Sequence, residues 1–201
     1  MTRFSKKLYG AAVIVGMSTL LLASCSRDGR EMKSPTADQT ESIAIATTIA
    51  ESVAPVEEFT VVAPWEDGEQ LDPQFTCEGS KLSPGFEIAG LPEGTVTWGL
   101  SIVDQTAENA VHWVAANIDP AINRVAAGVA PAGAVQSLNR VNKVGYAAPC
   151  PKAGEPHTYI LTVYAVSQQL EVTVGMDSET MLTSLEAGSI GITSTIFIVT
   201  R

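Results

Sequence analysis

Thr95-Val96-Thr97-Trp98-Gly99-Leu100-Ser101-Ile102-Val103 alternates small or hydroxylated residues with large apolar ones. Successive strand side chains leave opposite faces, so the period of two gathers Val96, Trp98, Leu100 and Ile102 on one face and predicts a half-buried strand with Trp98 in the core. Residues 111–118 and 157–166 read the same way, with Trp113 in the core. Residues 170–174 read as a short strand and 190–200 as a long, Ile-rich closing strand. One helix is legible over 178–187. Asp177 or Ser178 serves as its N-cap, Met181, Leu182 and Leu185 share one face, and Gly188 stands where a helix stops. Many strands, one or two short helices and no strand-helix alternation predict a mainly antiparallel β-sandwich from about Glu58 onward. There is no internal repeat.

Upstream of that domain the chain changes character. Arg3, Lys6 and Lys7 precede an apolar run over 8–23 that ends in Leu22-Ala23-Ser24-Cys25. The run is shorter than the roughly 20 residues of a membrane-spanning helix and has the layout of an export signal. Leu-Ala-Ser-Cys matches the bacterial lipobox, which predicts a signal peptide over 1–24 and lipidation of Cys25. The protein is then held on the extracytoplasmic face of a bacterial cell membrane; the alternatives are an uncleaved anchor or a signal whose Cys is incidental. Residues 25–57 are rich in Ser, Thr, Ala, Glu and Asp, carry Pro35 and Pro55 and have no aromatic side chain before Phe59. Such a stretch buries too little to offset chain ordering and is expected to be a flexible tether for a domain over 58–201.

Length and charge narrow the function. A chain of 201 residues accommodates one ordinary domain plus an export tail. Acidic residues number 22 against 12 Lys plus Arg, and three of those cations precede residue 25. No cationic face is available for a phosphate backbone, so nucleic acid is excluded as a partner. Both histidines lie in predicted strands. His157 and Tyr159 are two apart and share a face, Asp104 closes the Trp98 strand, and His112 opens the next. A strand end and two neighbouring strands can bring Asp104, His112, His157 and Tyr159 to one rim; the plainer alternative is isolated histidines bonded to backbone. Two His and an Asp also suit a divalent metal, but no HExxH spacing occurs, and no GxSxG elbow supports a nucleophilic triad. No catalytic residue, metal or cofactor is assigned. Trp65, in the loop-like Pro64-Trp65-Glu66-Asp67-Gly68, is expected to fold over the core edge.

Five motifs in order carry a resemblance. They are Phe75-Thr76-Cys77-Glu78-Gly79 with Leu82-Ser83-Pro84; Leu91-Pro92-Glu93-Gly94-Thr95; Ile102-Val103-Asp104 with Val111-His112-Trp113-Val114; Gly145-Tyr146-Ala147-Ala148-Pro149-Cys150-Pro151; and Pro156-His157-Thr158-Tyr159 running into Leu161-Thr162-Val163-Tyr164-Ala165. This order resembles bacterial phosphatidylethanolamine-binding-protein-like domains, also called Raf-kinase-inhibitor-like proteins, over about Phe59 to Arg201. The resemblance implies that family's β-sandwich and a small anion pocket for phosphate-like head groups, formed by Asp104, His112, His157 and Tyr159 with Pro149 and Pro151 as its wall. Imidazole and phenol supply donors, and a protonated imidazole adds charge.

Departures from the family pattern are specific. Asp104-Gln105-Thr106-Ala107-Glu108 lacks the second Asp and both prolines of the usual turn, Thr158 replaces an Arg, and Ala147 and Ala148 replace glycines. Glu108 adds negative charge near the expected anion site, which implies a weakened pocket. With Cys25 lipidated, Cys77 and Cys150 are left as an even pair, and both lie in motifs that flank the same rim in the family; a disulfide is expected, against the alternative of two buried thiols. The whole reads as a surface-anchored binding module for a small anion or phospholipid head group and not as an enzyme. The alternative is an extracytoplasmic protein-interaction or inhibitor module with a vestigial pocket.

Overall fold

The computed structural model describes residues 57–201. Cys25, the signal peptide over 1–24 and nearly all of the tether over 25–57 lie outside the described residues. Two antiparallel sheets face each other. The smaller has the order β1-β2-β5, from β1 (Thr60–Val62), β2 (Phe86–Ala89) and β5 (Arg124–Val125). The larger has the order β6-β4-β3-β7-β8, from β3 (Thr97–Asp104), β4 (Ala110–Ile118), β6 (Val135–Gln136), β7 (His157–Val166) and β8 (Ser189–Val199). One helix, α1 (Ser178–Gly188), and a 3₁₀ turn at Pro73–Phe75 complete the described elements. The expected antiparallel sandwich is what forms.

The core between the sheets takes Phe86, Ile88 and Val125 from the small sheet and Trp98, Leu100, Ile102, Trp113, Tyr159, Leu161, Val163 and Phe197 from the large one. Trp98 and Trp113 are buried as expected, and each large apolar side chain removed from water contributes about 1.5–3 kcal/mol. The Trp98 indole N–H finds a carbonyl, that of Ile122, at 2.9 Å. Trp65 lies at the core edge with its ring edge-on to Phe197, centroids 4.9 Å apart, as its loop predicts.

Three expectations are corrected. First, β3 is buried on both faces, not on one. Helix α1 covers the outer face through Met181 and Leu185, which join Val111, Val114, Ala116, Tyr164 and Val166 in a second cluster. Thr97 and Ser101, polar in sequence and outward in the expected pattern, are therefore buried; Thr97 Oγ1 donates to the Gln168 carbonyl and Ser101 bonds to Tyr164. Second, residues 170–174 form no strand. Leu170 is tied to Asn117 by two hydrogen bonds of 2.9 Å, and the segment then turns into the Asp177-capped helix. Third, the helix runs one residue beyond the expected 178–187 and stops at Gly188, whose φ is not positive. A Cβ there would sit 3.0 Å from Val166 Cγ1 and 3.1 Å from Leu170 Cδ2, so this glycine serves close packing, and the helix ends at extended Ser189.

Candidate functional site

Three strand ends meet at one end of the large sheet, on its core face. Asp104, the last residue of β3, lies directly opposite Tyr159 of β7, and His157 opens the same strand two residues earlier. Period-two geometry places His157 and Tyr159 on one face, and their rings stack with centroids 6.3 Å apart. The fourth residue reaches this region through a bulge. Ile102 pairs with Trp113 but Val103 pairs with Val111, so His112 is an extra residue in β4. A bulge re-aims a side chain that strict alternation would send elsewhere, and here the His112 ring stands edge-on to Tyr159 at 5.2 Å. Periodicity alone cannot reveal it.

Asp104 is fully engaged. Its Oδ1 accepts the Thr106 and Ala107 N–H groups at 3.0 and 3.1 Å, and its Oδ2 accepts from His157 Nδ1 at 2.7 Å. Burial alone would raise the carboxyl, but the bonds from His157, Thr106 and Ala107 and the neighbouring Tyr159 phenol outweigh it and hold Asp104 below the ordinary carboxylate value. The ionised Asp104 can only accept, so His157 carries its proton on Nδ1. Its Nε2 is then a lone pair in the neutral ring and a donor only when the ring is doubly protonated. Tyr159 is raised well above an ordinary phenol, first by burial and then by the Asp104 charge, and stays a neutral donor.

His112 differs in kind. It is fully buried, and its Nδ1 contacts the Ala147 carbonyl at 2.7 Å. A carbonyl cannot donate, so Nδ1 bears the hydrogen and Nε2 is a lone pair, without a protein partner among the described residues. Burial depresses the imidazole to about 4, overriding the Ala147 bond. His112 is thus neutral over the physiological range and offers no N–H to an anion.

A cleft of about 210 Å³ opens beside the pair, lined by Asp104, His157 and Tyr159, by Cys150, Pro151, Lys152 and Glu155, and by Arg140. Of the residues expected at the site, Asp104, His157, Tyr159 and Pro151 line it. His112 and Pro149 are buried behind it. Glu108 is not among its lining residues; it stands in the β3-β4 turn with a positive φ of 50°, and Glu155 brings the carboxylate instead. Arg140 and Lys152 were missed. Neither forms a salt bridge among the described residues, and together they return the cationic character that Thr158 in place of Arg removes. Lys152 directly follows the Pro149-Cys150-Pro151 motif and was within reach of sequence reasoning; Arg140 lies in an unpatterned loop, delivered by its N–H bond to the Val111 carbonyl at 2.8 Å. Ala147 and Ala148 stand without positive φ, so the lost glycines leave no backbone strain.

Cys77 and Cys150 are joined in a disulfide with Cα atoms 5.3 Å apart, as expected and not as two buried thiols. A larger cavity of about 490 Å³ lies under β1, β2 and β5. It holds no histidine, and its Arg124 is already paired with Glu87 at 3.0 Å, so the smaller cleft is the better anion site. No group of three His, Cys, Asp or Glu side chains suited to a metal ion occurs among the described residues.

Comparison with known proteins gives one consistent answer. The profile of the phosphatidylethanolamine-binding protein family matches residues 62–195. A UPF0098 protein of Methanothermobacter thermautotrophicus is 31% identical over 134 residues, spanning 63% of this chain and 88% of the relative. YbcL of Escherichia coli is 30% identical over 118 residues, 51% of this chain and 64% of that protein. The YbcL crystal structure, described as a new member of the mammalian family, aligns with a TM-score of 0.67 at 25% identity over 72% of this chain and 99% of YbcL. A homologue from Chlamydia trachomatis shares the fold, with a TM-score of 0.64 over 71% of this chain and 97% of its own.

Proposed function

This chain belongs to the phosphatidylethanolamine-binding protein family, and from that premise we propose that it is a binding module, not an enzyme, whose cleft holds a small anion of the phosphate-head-group class. The observation that carries this reading is the Asp104–His157 pair at 2.7 Å, set beside Arg140 and Lys152, which form no salt bridge among the described residues, in a cleft of about 210 Å³. In the doubly protonated His157 ring Nε2 is a donor beside the Nδ1 bond to Asp104, and Tyr159 adds an O–H. The volume is below the roughly 300–1,000 Å³ of drug-sized sites and suits a head group better than a whole lipid. Two carboxylates, Asp104 and Glu155, oppose the anion, which keeps affinity modest.

The module is held by a lipid on Cys25 at the extracytoplasmic face of a bacterial membrane. Small anions, phospholipid head groups and extracytoplasmic proteins are the partners within reach there.

Calorimetric titration of inorganic phosphate and of phosphoethanolamine at two pH values tests the cleft. Binding is expected at millimolar ligand, with His157 Nε2 able to donate to the anion only in the doubly protonated ring. His157→Ala removes one charge-assisted bond, about 1.5–3 kcal/mol or one to two decades in Kd. No heat from wild type, or equal binding by His157→Ala, would reduce the cleft to a vestige and leave a protein-interaction module in its place.

A further inference from the structure

Five of the eight residues that line the cleft lie outside the sheet, four of them in one stretch of chain. Cys150, Pro151, Lys152 and Glu155 come from one segment between the 145–149 loop and β7. That segment has no strand or helix of its own. Its attachments are few and concentrated. The disulfide joins Cys150 to Cys77, and the Cys77 N–H donates to the Pro149 carbonyl at 3.0 Å. Arg201 adds a second tie in parallel. Its Nη1 donates to the Pro151 carbonyl at 3.1 Å, its Nε to Glu78 Oε1 at 3.3 Å, and its own carbonyl accepts the Gly154 N–H at 2.9 Å. Both ties thus run from the 77–78 turn, one of them covalent, to the segment that carries Lys152. Cys150 is itself exposed at the cleft, where a reductant can meet it.

We propose that the Cys77–Cys150 bridge gates ligand binding: the oxidised protein holds a formed cleft wall, and the reduced dithiol lets residues 150–155 and the Lys152 charge drift from the Asp104–His157 pair. This rests on the anion-site reading given above. The chemistry is thiol–disulfide exchange with a dithiol. The S–S bond breaks, each cysteine sulfur takes up one electron and one proton, and the dithiol closes to its own disulfide. The Arg201 tie persists through reduction but has one exposed, water-competed ion pair at its centre. A wall that is formed about a tenth of the time weakens apparent affinity about tenfold.

The experiment compares oxidised protein, protein reduced with dithiothreitol, and a Cys77→Ser/Cys150→Ser variant with and without the reductant. Two readouts are taken, amide hydrogen exchange and phosphate affinity. Reduction should speed exchange at Gly154 and Glu155, whose N–H groups bond to the Arg201 and Lys152 carbonyls, leave β3, β7 and β8 protected, and weaken phosphate binding about tenfold; the double Ser variant should behave as the reduced form and ignore dithiothreitol. Unchanged exchange in 150–155 overturns the proposal. So does faster exchange with undiminished phosphate binding, and so does general loss of protection in the sheet, which would make the bridge a global staple and not a gate. If oxidised wild type fails to bind phosphate at all, the anion-site reading itself falls and takes the gate with it; if it binds but reduction changes nothing, only the gate falls.

Discussion

His112 makes the stability of this domain depend on pH from about 6.5 downward, above the range where ordinary carboxylates begin to titrate. The ring is 0% exposed and its imidazole is pushed down to about 4, against about 6.5 in an unfolded chain. Between those values the unfolded chain binds a proton that the folded protein refuses, so acid favours unfolding. The effect is absent above about 6.5, grows as pH falls, and levels off once the folded ring also charges near 4. The slope approaches 1.36 kcal/mol per pH unit, and at pH 5 the accumulated loss is about 2 kcal/mol. For a domain of this size that corresponds to roughly 4–8 °C in Tm. Urea or thermal unfolding at pH 7.5, 6 and 5 measures it, with His112→Phe as the comparison. The variant should be less stable at pH 7.5, because the Ala147 carbonyl loses its donor, at about 1–3 kcal/mol. It should also be flatter with pH by about 2 kcal/mol between 7.5 and 5. Parallel wild-type and His112→Phe curves over that range would refute the account of His112 as a buried neutral imidazole.

Gly99→Ala puts a Cβ 2.3 Å from Leu185 Cδ2 and 2.8 Å from the Ala115 carbonyl oxygen, and should cost about 1–3 kcal/mol in urea unfolding. Wild-type stability in that variant would mean that α1 does not seat on β3. Cys25→Ala should move the mature protein out of the detergent phase in a phase-partition assay, since two or more acyl chains at about 0.8 kcal/mol per buried methylene hold it there. Equal partitioning of wild type and variant would end the anchor proposal.

The sandwich was legible because its evidence is local. Alternation along 95–103, 111–118 and 157–166 is written residue by residue, and the Asp177 cap and the Met181/Leu185 face mark the helix in the same way. Five short motifs in family order then named the architecture and pointed to Asp104, His157 and Tyr159, which strand periodicity and register bring onto one face. The Cys77–Cys150 pairing was readable once the motifs were recognised, over a separation of 73 residues.

What tertiary structure alone decided depends on what approaches each residue from far along the chain. Burial of both faces of β3 follows from α1, about 80 residues later in the sequence. Reading 170–174 as a strand failed because two side-chain bonds from Asn117 to Leu170 compete with strand pairing there. The candidate site shows the same division. Sequence identifies which side chains carry acid-base chemistry, but not which are wet. A bulge and the Ala147 carbonyl place His112 in the dark and set its lone pair, whereas a loop-borne Arg140 and a disulfide-held Lys152 supply the cleft's positive charge. Side-chain type is a property of one residue. Desolvation and field belong to the neighbourhood, and that neighbourhood exists only once strands distant in sequence have met.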